Sequence, residues 1–169
     1  MVLSCAKELC SFSLIKRVAV VRVLVACGAE VIGAEIARQV SVCADVQVLG
    51  TPDPEAIVHY VAGHLPDVLI LHVPTCGCPD ERMFRRLQEI APALRILAVG
   101  CTPARVGDYF LHLAPLGLNG CVCQAEGQEL QEAIRVLGAG GTLYLCPQAS
   151  RAILEAYRRR VNPWSRERK

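Results

Sequence analysis

The sequence lacks a hydrophobic run long enough to cross a membrane. Its N-terminal apolar stretch is interrupted by Lys16, Arg17 and Arg22, whereas a transmembrane helix needs about 20 consecutive apolar residues. No targeting segment is recognisable at the N-terminus either. We therefore predict no association with a membrane, and we expect the protein in the cytoplasm.

The common catalytic motifs are absent as well. The sequence contains no nucleophile elbow, no phosphate-binding P-loop, no Gly-x-Gly-x-x-Gly fingerprint and no His-Glu-x-x-His zinc motif. The glycine-rich stretch Gly138–Gly141 follows a predicted helix, so we interpret it as a helix end and not as a phosphate cradle. We predict that the protein is not an enzyme.

The chain has little net charge, but that charge is unevenly distributed. Residues 151–169 contain seven Lys or Arg residues and two Glu residues, a net charge of +5. Because the whole chain carries +2, residues 1–150 carry −3. A basic tail is typical of a solvated helix end, and it can also indicate proximity to a nucleic acid.

Cysteine, by contrast, is abundant, with ten residues in 169. A disulfide framework is not predicted, because the chain has no secretory signal and several cysteines lie inside apolar runs. A reduced thiol in such a run packs as a small hydrophobic group.

Hydrophobic runs alternate with helical patterns along the chain. Hydrophobic residues make up 53% of the sequence, which suits a sheet that is buried on both faces. The pattern predicts five strand–helix units in strict alternation, and therefore a doubly wound parallel sheet of α/β class. Strands are predicted over 20–26, 46–49, 68–72, 94–99 and from 121 onwards, with a loop over 73–79, a turn over 116–120, and a last helix over 147–160.

Five stretches of the chain together form a recognisable pattern: Val21–Ala26, Pro66–Leu71, Arg85–Leu97, Gly117–Gly120 and Glu132–Thr142. This pattern resembles the receiver domain of bacterial response regulators, in particular the NarL-like regulators that carry a LuxR-type helix-turn-helix. The resemblance implies a flavodoxin-like (CheY-like) fold with five parallel strands in the order 2-1-3-4-5, here with an extra C-terminal helix. The implied divisions are an N-terminal extension over 1–18, a receiver-like domain over 19–146, and a linker helix with a basic tail over 147–169.

The positions that carry the chemistry of such a receiver hold different residues here. Cys27 and Gly28 match the two acidic residues that hold Mg²⁺, and His72 matches the aspartate that accepts the phosphoryl group. Gly100 matches the usual Thr or Ser, and Gln124 matches the usual Lys. Mg²⁺ requires hard oxygen ligands. We therefore expect neither Mg²⁺ nor phosphotransfer from a histidine kinase, and the resemblance implies a pseudo-receiver with a degenerate phosphorylation pocket.

Thiols and an imidazole replace the carboxylates at the predicted carboxyl ends of the strands. Such groups suit a soft metal, and we consider Zn²⁺, Cu(I), an iron–sulfur cluster or haem. A reversible thiol switch that joins Cys27 to Cys76 or Cys101 is a related hypothesis. Simple packing of cysteines as small hydrophobic groups is the competing interpretation. The candidate metal or redox residues are Cys27, His72, Cys76, Cys78 and Cys101.

The tail over 162–169 resembles the opening of a LuxR-type DNA-binding domain. We therefore expect a homodimeric, phosphorylation-independent regulatory domain that senses a signal and controls DNA binding through an attached domain outside this chain. The alternatives are a metal or redox sensor that uses the thiol pocket, and an interaction module without a ligand.

Overall fold

The structure, a computed structural model, describes residues 20–77 and 80–161. The predicted N-terminal extension, Cys78 and the tail beyond residue 161 lie outside these ranges. The strands are β1 Val21–Ala26, β2 Val46–Gly50, β3 Val68–His72, β4 Arg95–Val99, β5 Leu118–Val122 and β6 Tyr144–Leu145. The helices are α1 Glu30–Val40, α2 Ile57–His64, α3 Val73–Cys76, α4 Glu81–Ile90, α5 Pro103–Leu113, α6 Gln128–Gly138 and α7 Pro147–Val161. Within the described ranges, no helix is both long enough and apolar enough to span a bilayer.

The six strands form one parallel sheet in the order β2-β1-β3-β4-β5-β6. The predicted order 2-1-3-4-5 is confirmed, but the predicted count of five strands is wrong. Tyr144 and Leu145 pair with Gly120 and Cys121 and add a sixth strand at the edge. A strand of two residues has no detectable periodicity, so only its pairing with a neighbour defines it.

Strand β5 begins earlier than predicted. The turn predicted over 116–120 covers only Leu116 and Gly117. The prediction that the strand starts at Cys121 is wrong, because Leu118, Asn119 and Gly120 belong to β5. Asn119 acts within the sheet: its Oδ1 accepts the Ile96 N–H at 2.9 Å, and its Nδ2 donates to the Thr142 carbonyl at 3.3 Å.

Gly120 also has a role inside the sheet. A Cβ at this position would lie 2.9 Å from the carbonyl oxygen of Tyr144, on β6. Asn and Gly are typical turn residues, which explains why sequence patterns misassign this stretch.

The segment over 73–79, which was predicted as a loop, starts with a helical turn. Val73–Cys76 forms α3 directly after β3, with Pro74 near its start. The predicted helix capped by Asp80 is confirmed as α4, where the Asp80 carboxylate accepts the Arg82 N–H at 3.1 Å. The short α3 turn lies at the carboxyl end of β3, where the degenerate pocket is expected.

The sheet is buried on both faces. Val23 and Val25 of β1 point towards α1 and α6, whereas Leu24 and Ala26 point towards the helices of the opposite face. Successive side chains of a strand alternate between faces, so the core divides into two clusters. We call them the α1/α6 cluster and the α5/α7 cluster, the second being completed by α2 and α4.

Helix α7 packs against α5 through small residues. A Cβ added at Gly107 of α5 would collide with the carbonyl oxygen of Ala152 and would lie 2.8 Å from the Cβ of Ala156, both on α7. Ala149 and Ala156 are fully buried in this contact layer. The close approach of the two helices therefore depends on the absence of a side chain at position 107.

Replacing Gly107 with Ala should destabilise the protein, although Ala favours a helix by about 1 kcal/mol over Gly. The new methyl group has no space against α7, and overpacking costs about 1–3 kcal/mol. Gly63 of α2 is the matched control, because a Cβ there meets nothing within 4 Å. Urea unfolding should show a lower free energy of unfolding for Gly107→Ala and a higher one for Gly63→Ala. A stabilising effect of both substitutions would contradict the close α5–α7 contact.

Candidate functional site

The carboxyl ends of β1 and β3 bring a thiol and an imidazole together. The two strands are paired, with Ala26 opposite Leu71, so the next residues, Cys27 and His72, lie side by side. The Cys27 Sγ is 3.6 Å from the His72 Nδ1. Both residues are buried, at 4% and 7% exposure, and Gly33 of α1 packs against the Cβ of Cys27.

Thr75, on the α3 turn, holds this pair in place. Its Oγ1 lies 2.9 Å from the His72 Nδ1 and 3.1 Å from the Cys27 Sγ. The same oxygen accepts the backbone N–H of Gly28 at 3.1 Å. One hydroxyl group therefore connects the ends of β1 and β3, and we call the set Cys27, His72 and Thr75 the thiol–imidazole pocket.

Two glycines leave the space that this pocket fills. A Cβ at Gly28 would lie 2.5 Å from the carbonyl oxygen of Thr75. Gly100 has a positive φ of 76°, and a Cβ there would lie 3.0 Å from the His72 Nε2 and 2.9 Å from Pro74. A larger residue at position 28 or 100 is thus incompatible with the observed positions of α3 and the imidazole.

The protonation of the pocket follows from its donors and acceptors. Burial lowers the pKa of His72 below its ordinary value, so the imidazole is neutral near pH 7. With its proton on Nε2, its Nδ1 accepts from the Thr75 hydroxyl, while the Cys27 thiol donates to the Ala29 carbonyl at 3.3 Å. In this assignment the Thr75 hydroxyl hydrogen and the Cys27 thiol hydrogen each have one acceptor, and the pocket carries no net charge.

Cys76 lies beside the pocket but points towards the α5/α7 cluster. Its thiol donates to the Ala26 carbonyl at 3.2 Å, and burial is the main cause that raises its pKa. The side chain lines a cavity of about 360 Å³, together with Ile57, Leu71 and Met83.

Cys101 is placed on the other side of the sheet from Cys27. It belongs to the α5/α7 cluster, as do Cys121 and Cys146, and its Sγ lies 3.7 Å from that of Cys121. The thiol of Cys121 donates to Cys101 and lowers the pKa of Cys101, whereas the pKa of Cys121 is raised. Burial and the neighbouring Cys146 raise the pKa of Cys123 to about 12.

Gln124, the last candidate position that the structure describes, does not join the thiol–imidazole pocket. Gln124 is exposed and lines a separate, open cleft of about 470 Å³ with Arg38 and Gln39 of α1. Cys78 lies outside the described residues. Over residues 20–77 and 80–161, no group of three or more His, Cys, Asp and Glu side chains is arranged to hold a metal ion. The structure thus joins Cys27 to His72 and adds Thr75, which the sequence did not single out.

Solved structures with the same fold are receiver domains of LuxR-family response regulators. The isolated receiver domain of RcsB from Salmonella enterica serovar Typhimurium, solved with the phosphomimetic BeF₃⁻, superimposes with a TM-score of 0.65 at 18% identity, over 79% of this chain and 98% of that domain. A LuxR-family two-component response regulator from Aurantimonas sp. SI85-9A1 gives a TM-score of 0.69 at 19% identity, over 80% of this chain and 96% of that one.

This chain has the receiver fold. A third structure, the response regulator ChrA of a heme-sensing two-component system, gives a TM-score of 0.61 at 19% identity, over 81% of this chain and 65% of that one. No protein-family model matches the sequence, and no curated protein matches it. The chain therefore shares the receiver fold at a low sequence identity, at which the residues of the pocket can differ.

The receiver fold also explains why Thr75 was missed. Sequence reasoning followed the positions that a receiver uses for phosphorylation, and Thr75 lies beyond them on the α3 turn. The signal that could have found it is the combination of a proline at Pro74, which favours the first turn of a helix, with a hydroxyl residue three positions after His72.

We expect His72 to make the stability of the protein depend on pH. Its pKa is lowered in the folded state from the ordinary value of 6.5, so protons bind more readily to the unfolded chain. The contribution of the neutral His72 to the free energy of unfolding is fully present above about pH 6.5. It is lost as the pH falls towards the pKa of the folded state, by at most about 1.4 kcal/mol per pH unit. Urea unfolding between about pH 5.5 and 7.5 measures this loss.

The variant His72→Asn should flatten this dependence, because its amide oxygen can still accept from Thr75 but does not titrate. His59, which is exposed on α2, provides the control, and His59→Asn should keep the wild-type pH profile. An unchanged pH profile in His72→Asn would contradict a neutral, buried imidazole.

Proposed function

We propose that this chain is a regulatory, receiver-like domain that works without phosphorylation. The observation that carries the proposal is the thiol–imidazole pocket. Its three side chains fill the carboxyl ends of β1 and β3 and bond to one another. In sheets of this kind, ligands bind outside the carboxyl ends of the strands, and here protein atoms occupy that place.

The donor set of the pocket does not fit Mg²⁺, the ion that a receiver uses. Mg²⁺ prefers carboxylate and water oxygens in an octahedron, whereas Cys27 and His72 offer sulfur and nitrogen. An incoming phosphoryl group also needs positive charge to offset its own, but His72 is neutral and Gln124 points into a different cleft. No phosphorylation step is therefore proposed for this pocket.

The output of the proposed domain is the control of DNA binding by an attached domain, in a homodimer. The support comes from structural neighbours, one of which is described as two RcsB dimers bound to two parallel DNAs. The end of α7 carries Arg158, Arg159 and Arg160, a basic surface suited to the vicinity of nucleic acid. We place this role in the cytoplasm, and it is regulatory and not enzymatic.

Incubation with acetyl phosphate and Mg²⁺ tests the proposal. Intact-mass spectrometry should show no phosphoryl adduct, because the pocket holds neither a carboxylate acceptor nor ligands for the ion. A receiver that keeps its aspartate, treated in parallel, is the positive control. A stable adduct on the wild-type chain that disappears in His72→Asn would overturn the proposal, since it would identify His72 as an acceptor.

A second proposal is that the pocket contributes ligands to a soft metal ion, and its support is the 3.6 Å contact between the Cys27 Sγ and the His72 Nδ1. Thiolate and imidazole are the usual ligands of Zn²⁺. Further ligands would have to come from residues such as Cys78, outside the described ranges.

Elemental analysis and an absorbance spectrum of the purified protein test this second proposal. Zn²⁺ bound in proportion to protein, lost in Cys27→Ser and retained in Cys43→Ser, is the expected result. Cys43 is the matched control because it is equally buried and lies far from the pocket, near Arg135. Absorption bands of haem or of an iron–sulfur cluster would change the identity of the metal group, and a metal-free wild-type protein would exclude the proposal.

A further inference from the structure

A second group of thiols lies on the face of the sheet opposite the thiol–imidazole pocket. Cys101 follows β4, Cys121 is in β5, and Cys146 immediately precedes α7. The Sγ atoms of Cys101 and Cys121 are 3.7 Å apart, and the two side chains are 4% and 0% exposed. This pair has no part in the regulatory function proposed for the thiol–imidazole pocket.

We propose that Cys101 and Cys121 are an oxidation site, which forms an intramolecular disulfide when the protein meets a peroxide. The proposal is independent of phosphorylation and of any metal in the thiol–imidazole pocket. It differs from a thiol switch between Cys27 and Cys101, because the sheet separates those two residues.

The geometry requires only a small movement. A disulfide has an S–S distance of about 2.05 Å, so the two sulfurs must approach by roughly 1.7 Å from the observed 3.7 Å. The pairing of β4 with β5 places Ala98 opposite Cys121, and Cys101 follows three residues later, beyond the end of β4. The β4–β5 pairing ends at Val99 and Val122, so the backbone of Cys101 lies outside this ladder and is not fixed by it.

The arrangement of hydrogen bonds selects Cys101 as the thiol that reacts first. The thiol of Cys121 donates to the Cys101 sulfur, which stabilises a thiolate at Cys101. The flanking residues Gly100 and Thr102 are half-buried and exposed, so Cys101 lies one residue from solvent, and this side of the loop is the route that we propose for a small peroxide.

The neighbouring sulfur of Cys146 is engaged differently. It accepts the backbone N–H groups of Cys123 and Ala149, each at 3.4 Å, and thereby caps the start of α7. Reaction of Cys146 would break these two hydrogen bonds, whereas reaction of Cys101 with Cys121 leaves them in place.

The proposed reaction is balanced by the peroxide as oxidant. The Cys101 thiolate attacks one peroxide oxygen and the O–O bond breaks, which leaves a sulfenic acid on Cys101 and releases an alcohol or water once the leaving oxygen takes up a proton. The Cys121 sulfur then attacks the sulfur of the sulfenic acid. The S–S bond forms, the S–O bond breaks, and the Cys121 proton leaves with the hydroxyl group as water.

Peptide mapping of the full chain tests the proposal. The reduced protein is treated with hydrogen peroxide, the remaining thiols are alkylated, and the protein is digested with trypsin without reduction. Cleavage after Arg95 and Arg105 isolates Cys101 in one peptide, and cleavage after Arg105 and Arg135 leaves Cys121 and Cys123 together in another. We expect these two peptides to be joined, and the joined species to disappear when a reductant is added.

Three variants identify the two cysteines that form the disulfide. Cys101→Ser and Cys121→Ser should abolish the joined species, and Cys123→Ser should retain it. Because Cys121 is fully buried and its replacement can impair folding, the less enclosed Cys101→Ser variant and the Cys123→Ser control decide the result without it. A bond that involves Cys123, a bond between Cys27 and Cys76, or fully alkylated thiols after peroxide treatment would each overturn the proposal.

Discussion

A parallel sheet that is covered by helices on both faces sends successive side chains of each strand to opposite sides, and this alternation determines where the reactive groups of the protein lie. Cys27 and His72 continue the alternation of Val23, Val25 and Ile70, so they face the side of α1 and α6. The side chain of Cys121 points to the opposite face of the sheet, towards α5 and α7, as does that of Cys101. A single layer of backbone therefore divides the thiols into two groups with separate chemistry.

The thiol–imidazole pocket is a set of residues that depend on one another. His72 occupies space that exists only because position 100 is a glycine, and the carbonyl of Thr75 approaches position 28 because that residue also has no side chain. Thr75 then satisfies the Gly28 N–H and the imidazole with one hydroxyl group. Restoring a single acidic residue of a receiver would not restore its site, because the α3 turn and the imidazole fill the space that the acidic side chain needs.

Close packing of small residues, and not charge, holds the last helix, α7, against α5. Gly107, Ala152 and Ala156 let α5 and α7 approach closely, while the ion pairs between Asp108 and the arginines Arg159 and Arg160 are exposed, at 3.6 and 3.4 Å. Exposed ion pairs of this kind contribute little to stability. The basic end of α7 is thus anchored by its small-residue face, and most of its charge remains available to solvent.

The sequence by itself determined the fold class and the absence of the receiver's acidic residues, and its resemblance to receiver domains implied the order of the first five strands. Long hydrophobic runs such as Val21–Ala26 and Val68–His72 identify buried strands locally, because a segment buried on both faces must be apolar throughout. The same reasoning failed at β5 and β6. Asn119 and Gly120 have the composition of a turn, and Tyr144–Leu145 is too short to show a period, so pairing with distant segments decides both strands.

Only the tertiary structure decided which of the candidate residues meet. Sequence reasoning placed Cys27, His72, Cys76 and Cys101 at one edge of the sheet, and they do lie near strand ends, but proximity to an edge does not specify a face. The alternation of side chains along the strands and the α3 turn bring Cys27 and His72 together, with Thr75 between them. The same alternation places Cys121 on the other face of the sheet, where it contacts Cys101. The reason is physical: the position of a residue along a strand can be read from local hydrophobic patterns, whereas its contacts depend on the packing of segments far apart in the chain.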